Sequence, residues 1–227
     1  MNRVFITGAS SGLGRALAQQ YAASGATLGL LGRREDALRE LAASLPGEHR
    51  CYAVDVRDRA ALHAAAADFI AFCQGRVDVV IASAGISAGT LTEHGEDYDV
   101  FKAIVDTNLL ATVATFEPFV GAMRAAGAGR LVGIASVAGV RGLPGAGAYS
   151  ASKSAVVTYC ESLRLELAAD GIRVVTIAPG YIKTAMTAKN PYSMPFLMEA
   201  DAFAQRAHAA IERGTSYKVI PWQMGVV

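Results

Sequence analysis

Tyr149 and Lys153 stand four residues apart in Tyr149-Ser150-Ala151-Ser152-Lys153, so on a helix they share one face about one turn apart. A free phenol, with an ordinary pKa of about 10, is a poor proton carrier at neutral pH. One unit charge at about 4 Å is worth roughly 4 kcal/mol at an effective dielectric of ~20, and a pKa unit is about 1.4 kcal/mol. A Lys153 ammonium beside the ring is therefore expected to bring the phenol toward neutrality and make Tyr149 an acid–base group. Ser136, thirteen residues upstream at the end of the apolar run 130–135, is a candidate donor to a substrate carbonyl. Asn108 falls inside a long helical pattern where Asn is intrinsically disfavoured, which invites a local polar role such as holding a water.

Gly8, Gly12 and Gly14 follow the first strand in the spacing G-x3-G-x-G and open a helix. Glycines at these positions permit a tight turn and let a pyrophosphate approach backbone N–H groups, with the positive end of the helix dipole behind them. In dinucleotide folds an acidic residue about 20 positions further on holds the ribose 2′-hydroxyl. Here that position is Gly32, followed by Arg33 and Arg34. Two cations in the first turn of a helix oppose its dipole, each by roughly 0.3–1 kcal/mol, unless an anion compensates. A 2′-phosphate is such an anion, so NADP(H) is the expected cofactor and NAD(H) the alternative; pairing of the two arginines with Glu35 or Asp36 would leave no preference. Asp55, after the third strand, either accepts a hydrogen bond from an adenine amino group or caps a local turn.

These residues need a scaffold that brings strand ends and helix starts together. Short apolar runs at 3–7, 27–31, 50–54, 77–82, 130–135, 173–178 and 218–220 alternate with Ala-rich amphipathic segments. Near-continuous apolar strands separated by helices predict a parallel sheet covered on both faces, a doubly wound α/β (Rossmann) fold. At 227 residues the chain is expected to form a single domain spanning 1–227. With 52% hydrophobic but only 7% aromatic residues, the composition suits helices packed closely on a sheet rather than a barrel or sandwich. A net charge of +1, with both signs scattered along the chain, offers no footprint for nucleic acid. Cys51, Cys73 and Cys160 lie far apart and read as buried thiols in a reducing compartment. His49, His63, His94 and His208 form no metal-ligand pattern, so no metal site is expected. With no leader-like N-terminus and no uninterrupted apolar stretch of about 18 residues, a soluble cytoplasmic protein without membrane contact is the expectation. The helical patterns at 96–126 and 149–169 are apolar on more than one face, which predicts that a second copy covers them.

Taken together, Thr7-Gly8-Ala9-Ser10-Ser11-Gly12-Leu13-Gly14, Asp55, Ala82-Ser83-Ala84-Gly85, Asn108, Ser136, the Tyr149–Lys153 motif and Pro179-Gly180 resemble, in order and spacing, a short-chain dehydrogenase/reductase of the compact single-domain kind. The resemblance covers almost the whole chain. It implies reversible hydride transfer between a nicotinamide cofactor and a carbonyl/alcohol substrate, with Tyr149 as general acid–base. It further implies that Lys153 lowers the Tyr149 pKa and binds the nicotinamide ribose, that Ser136 orients the substrate oxygen, and that Asn108 anchors a proton-relay water. Cofactor contacts are implied at Gly8, Ser10, Ser11, Gly12, Leu13, Gly14, Arg33, Arg34, Asp55, Val56, Ala84 and Gly85. Tyr149, Lys153, Pro179, Gly180, Ile182 and Thr184 would line its nicotinamide end. Ser83 departs from the family, which more often has Asn there, and this puts one sheet-stabilising side-chain contact in question. Dimers or tetramers are usual for such proteins.

Two other functional readings stand beside this one. The first is a dinucleotide-binding regulatory protein without turnover, against which the intact Asn108, Ser136, Tyr149, Lys153 set speaks. The second is a 3-oxoacyl-carrier-protein reductase, which should show a basic docking surface near the pocket; Arg124, Arg130, Arg141 and Arg164 supply cations, but sequence does not place them on one face. Segment 181–203, with Met186, Tyr192, Met194, Pro195, Phe196, Leu197 and Met198, is expected to fold over the crevice as a lid and meet an apolar part of the substrate; core packing is the alternative. The chain stops soon after its last strand, earlier than related proteins usually do, which leaves open a further C-terminal element.

Overall fold

A computed structural model describes residues 2–188 and 193–226. In chain order the elements are β1 (Arg3–Thr7), α1 (Gly12–Ala23), β2 (Thr27–Gly32), α2 (Glu35–Ser44), β3 (His49–Ala53), α3 (Arg59–Phe72), β4 (Val79–Ala82), α4 (Asp97–Val105), α5 (Ala111–Ala126), β5 (Gly129–Ile134), α6 (Gly147–Glu166), β6 (Ile172–Pro179), β7 (Ile182–Lys183), β8 (Met198–Glu199), α7 (Ala200–Arg213) and β9 (Tyr217–Ile220). Seven of the strands form one sheet in the order β3-β2-β1-β4-β5-β6-β9. Every neighbouring pair in it is parallel. The seven strands expected from the apolar runs are all present, with ends shifted by one or two residues.

Alternation along each strand divides the core in two. Val4 and Ile6 of β1, with Leu28, Leu30, Val79 and Ile81, face α1 and α7 and pack on Leu17, Tyr21, Phe203 and Ile211. Phe5, Leu31, Val80 and Leu131 face the other way, toward α3, α5 and α6, and meet Phe69, Phe119, Met123 and Val156. The Phe5 ring lies 5.5 Å from that of Phe69 and 4.9 Å from that of Phe119. A Cβ on Gly29 of β2 would sit 2.6 Å from the Phe5 ring, so the bare backbone there makes room for this aromatic cluster. Burying each such ring contributes roughly 1.5–3 kcal/mol. Cys73 and Cys160 are buried as expected, whereas Cys51 at the sheet edge is only half-buried.

The pattern at 96–126 is one helical run with a defect in it. Asp106–Leu110 forms a π-helical turn between α4 and α5, and Asn108 sits inside it. Further along, Pro118 has no N–H to offer the carbonyl of Ala114 four residues back. The His63 ring takes that place, its Nε2 lying 3.1 Å from the Ala114 oxygen.

Segment 181–203 departs from the lid expectation. Two-residue strands β7 and β8 pair in parallel and tie its ends together. Met198 packs against the core and Phe203 is fully buried beneath α7, since the helix needs its apolar stripe on the sheet. Among the described residues of the segment, only the part near 182–187 reaches the crevice, while Phe196 and Leu197 are about half exposed. Tyr192 lies outside the described residues. Among the described residues no helix is long and apolar enough to cross a membrane, and no group of three or more His, Cys, Asp or Glu residues is disposed to hold a metal.

Candidate active site

The strand order reverses at β1 and β4, and in open parallel sheets ligands bind beyond the carboxyl ends of strands at such a point. A cavity of about 300 Å³ opens there. Its floor is the turn between β1 and α1. Gly8 has φ +70°, and a Cβ on it would lie 2.8 Å from the Ala84 backbone, so the two strand ends close against each other only because Gly8 has no side chain. A Cβ on Gly14 would overlap the Gly8 carbonyl, which lets the first turn of α1 come down onto the strand end. The hydroxyl of Thr7 locks the arrangement by accepting from the amides of Ser83 and Ala84 at 3.2 and 3.3 Å. Ser11, at the N-cap, makes no side-chain cap, so the leading amides of α1 stay available to an anion. This cradle fits the pyrophosphate of a dinucleotide.

At the far end of the cavity α6 carries Tyr149 and Lys153. Tyr149 is half-buried, whereas Lys153 is only 5% exposed and its ammonium donates to the Ile134 carbonyl at 2.8 Å. Ser136 follows β5, and the turn after it is pressed onto α6, because a Cβ on Gly139 would lie 2.8 Å from the Lys153 backbone. That contact brings Ser136 and Tyr149 to the same end of the cavity, with the serine hydroxyl near enough to act on the phenol. The same hydroxyl oxygen accepts from the Ala138 amide at 3.1 Å, so its proton remains free to donate.

The electrostatics differ from the expectation drawn from spacing. Burial raises the Tyr149 phenol above its ordinary value, with the Ser136 hydrogen bond opposing. Burial also lowers the Lys153 amine to about 8. Helical spacing brings the ammonium 5.8 Å from the centre of the Tyr149 ring, but the largest influence on the phenol is desolvation, which spacing cannot report. The folded-state value of Lys153 lies below the unfolded one, so between about pH 8 and 10.5 the unfolded chain binds more protons and stability rises with pH. Replacing Lys153 with Met removes this dependence. The stability difference between wild type and Lys153→Met, measured by denaturant unfolding, is expected to move in the wild type's favour by about 3 kcal/mol from pH 7 to pH 10.5. An unchanged difference would mean that Lys153 is not desolvated.

Asn108 and Arg34 are the two predicted site residues that do not line the cavity. Asn108 is fully buried just behind it. Its amide donates to the Ile86 carbonyl and to the Ser152 hydroxyl, both at 3.0 Å, and its oxygen accepts from the Ile86 amide at 2.8 Å. Ser152 in turn donates to the Tyr149 carbonyl at 2.8 Å, so the π-helical turn is tied to the helix that carries the phenol. Arg34 reaches back to the Ser10 carbonyl at 3.0 Å and holds the glycine turn instead of facing the ribose position. Arg33 does line the cavity, beside Gly32 and Ser10. Glu35, its expected competitor, is engaged by Arg39 at 2.6 Å. Asp55 and Val56 line the same end. Arg57, which the sequence reading passed over, lines it too and binds the Asp55 carboxylate at 2.7 Å. Ser83 has a buried hydroxyl without a partner, so the side-chain contact left in question at this position is not made by the hydroxyl.

Pro179, Gly180, Ile182 and Thr184 line the cavity opposite the glycine turn. The Thr187 hydroxyl accepts from the Thr184 amide at 3.0 Å and donates to the Ile182 carbonyl at 2.7 Å, folding this segment so that Thr184 stands over Gly12. Three of the four arginines considered for a basic docking face have partners within the chain. Arg124 pairs with Asp170, Arg130 with Glu212, and Arg164 bonds the Val174 and Ser216 carbonyls. Arg124 stays about half exposed, and Arg141 is exposed on the loop between Ser136 and α6.

Comparison with known proteins agrees with this geometry. The short chain dehydrogenase family profile matches residues 2–194. An uncharacterized oxidoreductase from Myxococcus xanthus is 38% identical over 97% of this chain and 88% of its own. A 2-dehydro-3-deoxy-L-rhamnonate dehydrogenase (NAD(+)) from Sphingomonas sp. is 37% identical over 83% of this chain and 75% of its own. A short-chain dehydrogenase from Sphingobium yanoikuyae, solved in complex with NADPH, superposes with a TM-score of 0.83 at 25% identity, over 97% of this chain and 88% of that one. A glycine cradle at the switch point of a parallel sheet, a serine, tyrosine and lysine converging at its far end, and a family match over most of the sequence have one common explanation: the chain belongs to the short-chain dehydrogenase family and is an NAD(P)-dependent oxidoreductase acting on CH–OH groups.

Proposed function

We propose that this protein catalyses reversible, NADP(H)-preferring hydride transfer between nicotinamide and a carbonyl/alcohol substrate with an apolar portion. The observation that carries the reading is the convergence of the Ser136 hydroxyl, the Tyr149 phenol and the Lys153 ammonium on one end of a cavity whose other end is the glycine cradle. When bound, a nicotinamide cofactor would supply the hydride chemistry at the substrate carbon. Tyr149 moves the proton at the substrate oxygen, and the free hydroxyl hydrogen of Ser136 donates to that oxygen. Lys153 contributes positive charge close by and a donor for a ribose hydroxyl. Because burial raises the phenol, Tyr149 rests protonated at neutral pH, which is the form that carbonyl reduction needs. The Asn108 carbonyl accepts from Thr112 at 2.9 Å and keeps a second lone pair for a relay water. Arg33 is assigned to the 2′-phosphate and Asp55 to the adenine amino group. The NADPH-bound relative supports the first assignment, while the NAD(+)-named relative shows that the family uses both cofactors.

Met186 at the cavity, with the exposed Val140 and Leu143 on the loop leaving Ser136, supports an apolar substrate portion. NADPH oxidation is expected with some members of a panel of steroid, sugar, acyl-thioester and simple ketones, with apolar ketones ahead of sugars. Turnover confined to sugars would overturn the apolar assignment.

The protein is further proposed to work as a homo-oligomer, at least a dimer, through α4, α5 and α6. Tyr98 on α4, Leu110 in the π-helical turn before α5 and Leu165 on α6 are 72%, 55% and 77% exposed in the single chain. Sedimentation at micromolar concentration should give a dimer or tetramer, and a stable monomer would contradict this.

A further inference from the structure

Arg57 makes a more specific contact than an ordinary surface cation. Its Nε lies 3.1 and 3.2 Å from the two oxygens of Asp55, its Nη2 lies 2.7 Å from the second, and its main-chain amide donates to the first at 3.0 Å. The Asp55 main chain is held as well, since its carbonyl accepts from the Asp58 amide at 2.9 Å and the neighbouring Val54 amide donates to Gly32 at 3.0 Å. The terminal torsion of an aspartate is broad and is poorly fixed by its own backbone. A guanidinium fork plus an amide on one side of the carboxylate fixes that torsion and occupies the lone pairs on that side, leaving the remaining ones directed away from Arg57. Both residues line the cavity at the end where Arg33 stands, and Arg33 lies close enough to act on the Asp55 charge.

We infer that Arg57 is a positioning residue for cofactor recognition: by clamping the Asp55 carboxylate in one orientation, it presents an acceptor that admits a ring bearing an exocyclic amino group and rejects one bearing a carbonyl oxygen at the same place. This rests on the assignment of Asp55 to the adenine amino group. Arg57 touches the carboxylate, and the carboxylate touches the base. The side of Asp55 turned away from Arg57 accepts from an amino donor, whereas a carbonyl oxygen there meets a fixed negative charge.

The test compares NADPH with its hypoxanthine analogue, in which the adenine amino group is replaced by an oxygen, by titrating the fluorescence of the reduced nicotinamide. The same pair without the 2′-phosphate is titrated alongside. Wild type should bind the adenine form on the order of 10-fold more tightly, the scale expected when a charge-assisted hydrogen bond is replaced by a repulsion. Asp55→Ala should abolish the preference. Arg57→Gln and Arg57→Lys should both reduce it to under about 3-fold, the lysine variant because a point charge cannot reproduce the fork. An unchanged adenine preference in both Arg57 variants would overturn the inference, and if only the 2′-phosphorylated cofactors weakened, Arg57 would be a phosphate contact. Equal binding of the two bases by wild type would overturn the Asp55 assignment itself, and the role of Arg57 with it.

Discussion

Tyr149→Phe is expected to lower turnover on the order of 10²–10⁴-fold, the range that a positioned proton donor contributes, while leaving NADPH affinity within a few-fold of wild type. The ring is half-buried on α6 beside the cavity, so Phe fills the same space and the helix keeps its seat. What disappears is the hydroxyl that exchanges a proton with the substrate oxygen. Ser136 keeps the Ala138 amide, so the loop is held in the variant. Steady-state kinetics together with cofactor titration separates the two effects. Near wild-type turnover in a folded Tyr149→Phe protein would remove this residue from the chemistry.

Arg33→Ala is expected to weaken NADPH by about 10-fold or more and to change NADH little. A hydrogen bond to a charged group is worth about 1.5–3 kcal/mol, and a phosphate held by Arg33 would lose at least one. Gly32 offers no carboxylate to a ribose diol, and a carboxylate there would repel a phosphate. A Cβ at position 32 stands 3.2 Å from the Ser10 hydroxyl, so Gly32→Asp is accommodated by a small shift of that side chain. Adding Gly32→Asp to Arg33→Ala is therefore expected to reverse the preference toward NADH. Arg34 should matter differently. Because it holds the Ser10 carbonyl, Arg34→Ala is expected to loosen the glycine turn and weaken both cofactors alike. Equal wild-type affinities for NADPH and NADH, or equal losses in Arg33→Ala, would show that Arg33 is a solvated surface charge.

Adjacent arginines with opposite duties show where sequence reading stops. Arg33 and Arg34 are indistinguishable as letters; only the start of α2 turns one to the cavity and the other back to Ser10. The sheet was legible because strands buried on both faces must be apolar throughout, and each run stands out between Ala-rich helices. The glycine cradle was legible because close backbone approach excludes side chains. Two-residue strands such as β7 and β8 carry no periodicity, so the lid region could not be resolved into a turn over Gly12 and a core helix bearing Phe203. Helical spacing correctly put Lys153 near the Tyr149 ring, yet the pKa argument built on it misjudged the balance, because desolvation depends on everything packed around the pair. Arg57 escaped notice because its importance lies in a two-oxygen contact with Asp55 at the cavity wall, and no pattern of residue types announces it.

The most direct test of the account is isotopic. NADPH fully deuterated at the transferring carbon of the nicotinamide should be consumed with an accepted ketone, and the alcohol product should carry one deuterium on its carbinol carbon, in a reaction that Tyr149→Phe suppresses. Tight NADPH binding with no deuterium delivered to any carbonyl of the panel would contradict it and leave a protein that binds the cofactor without using it.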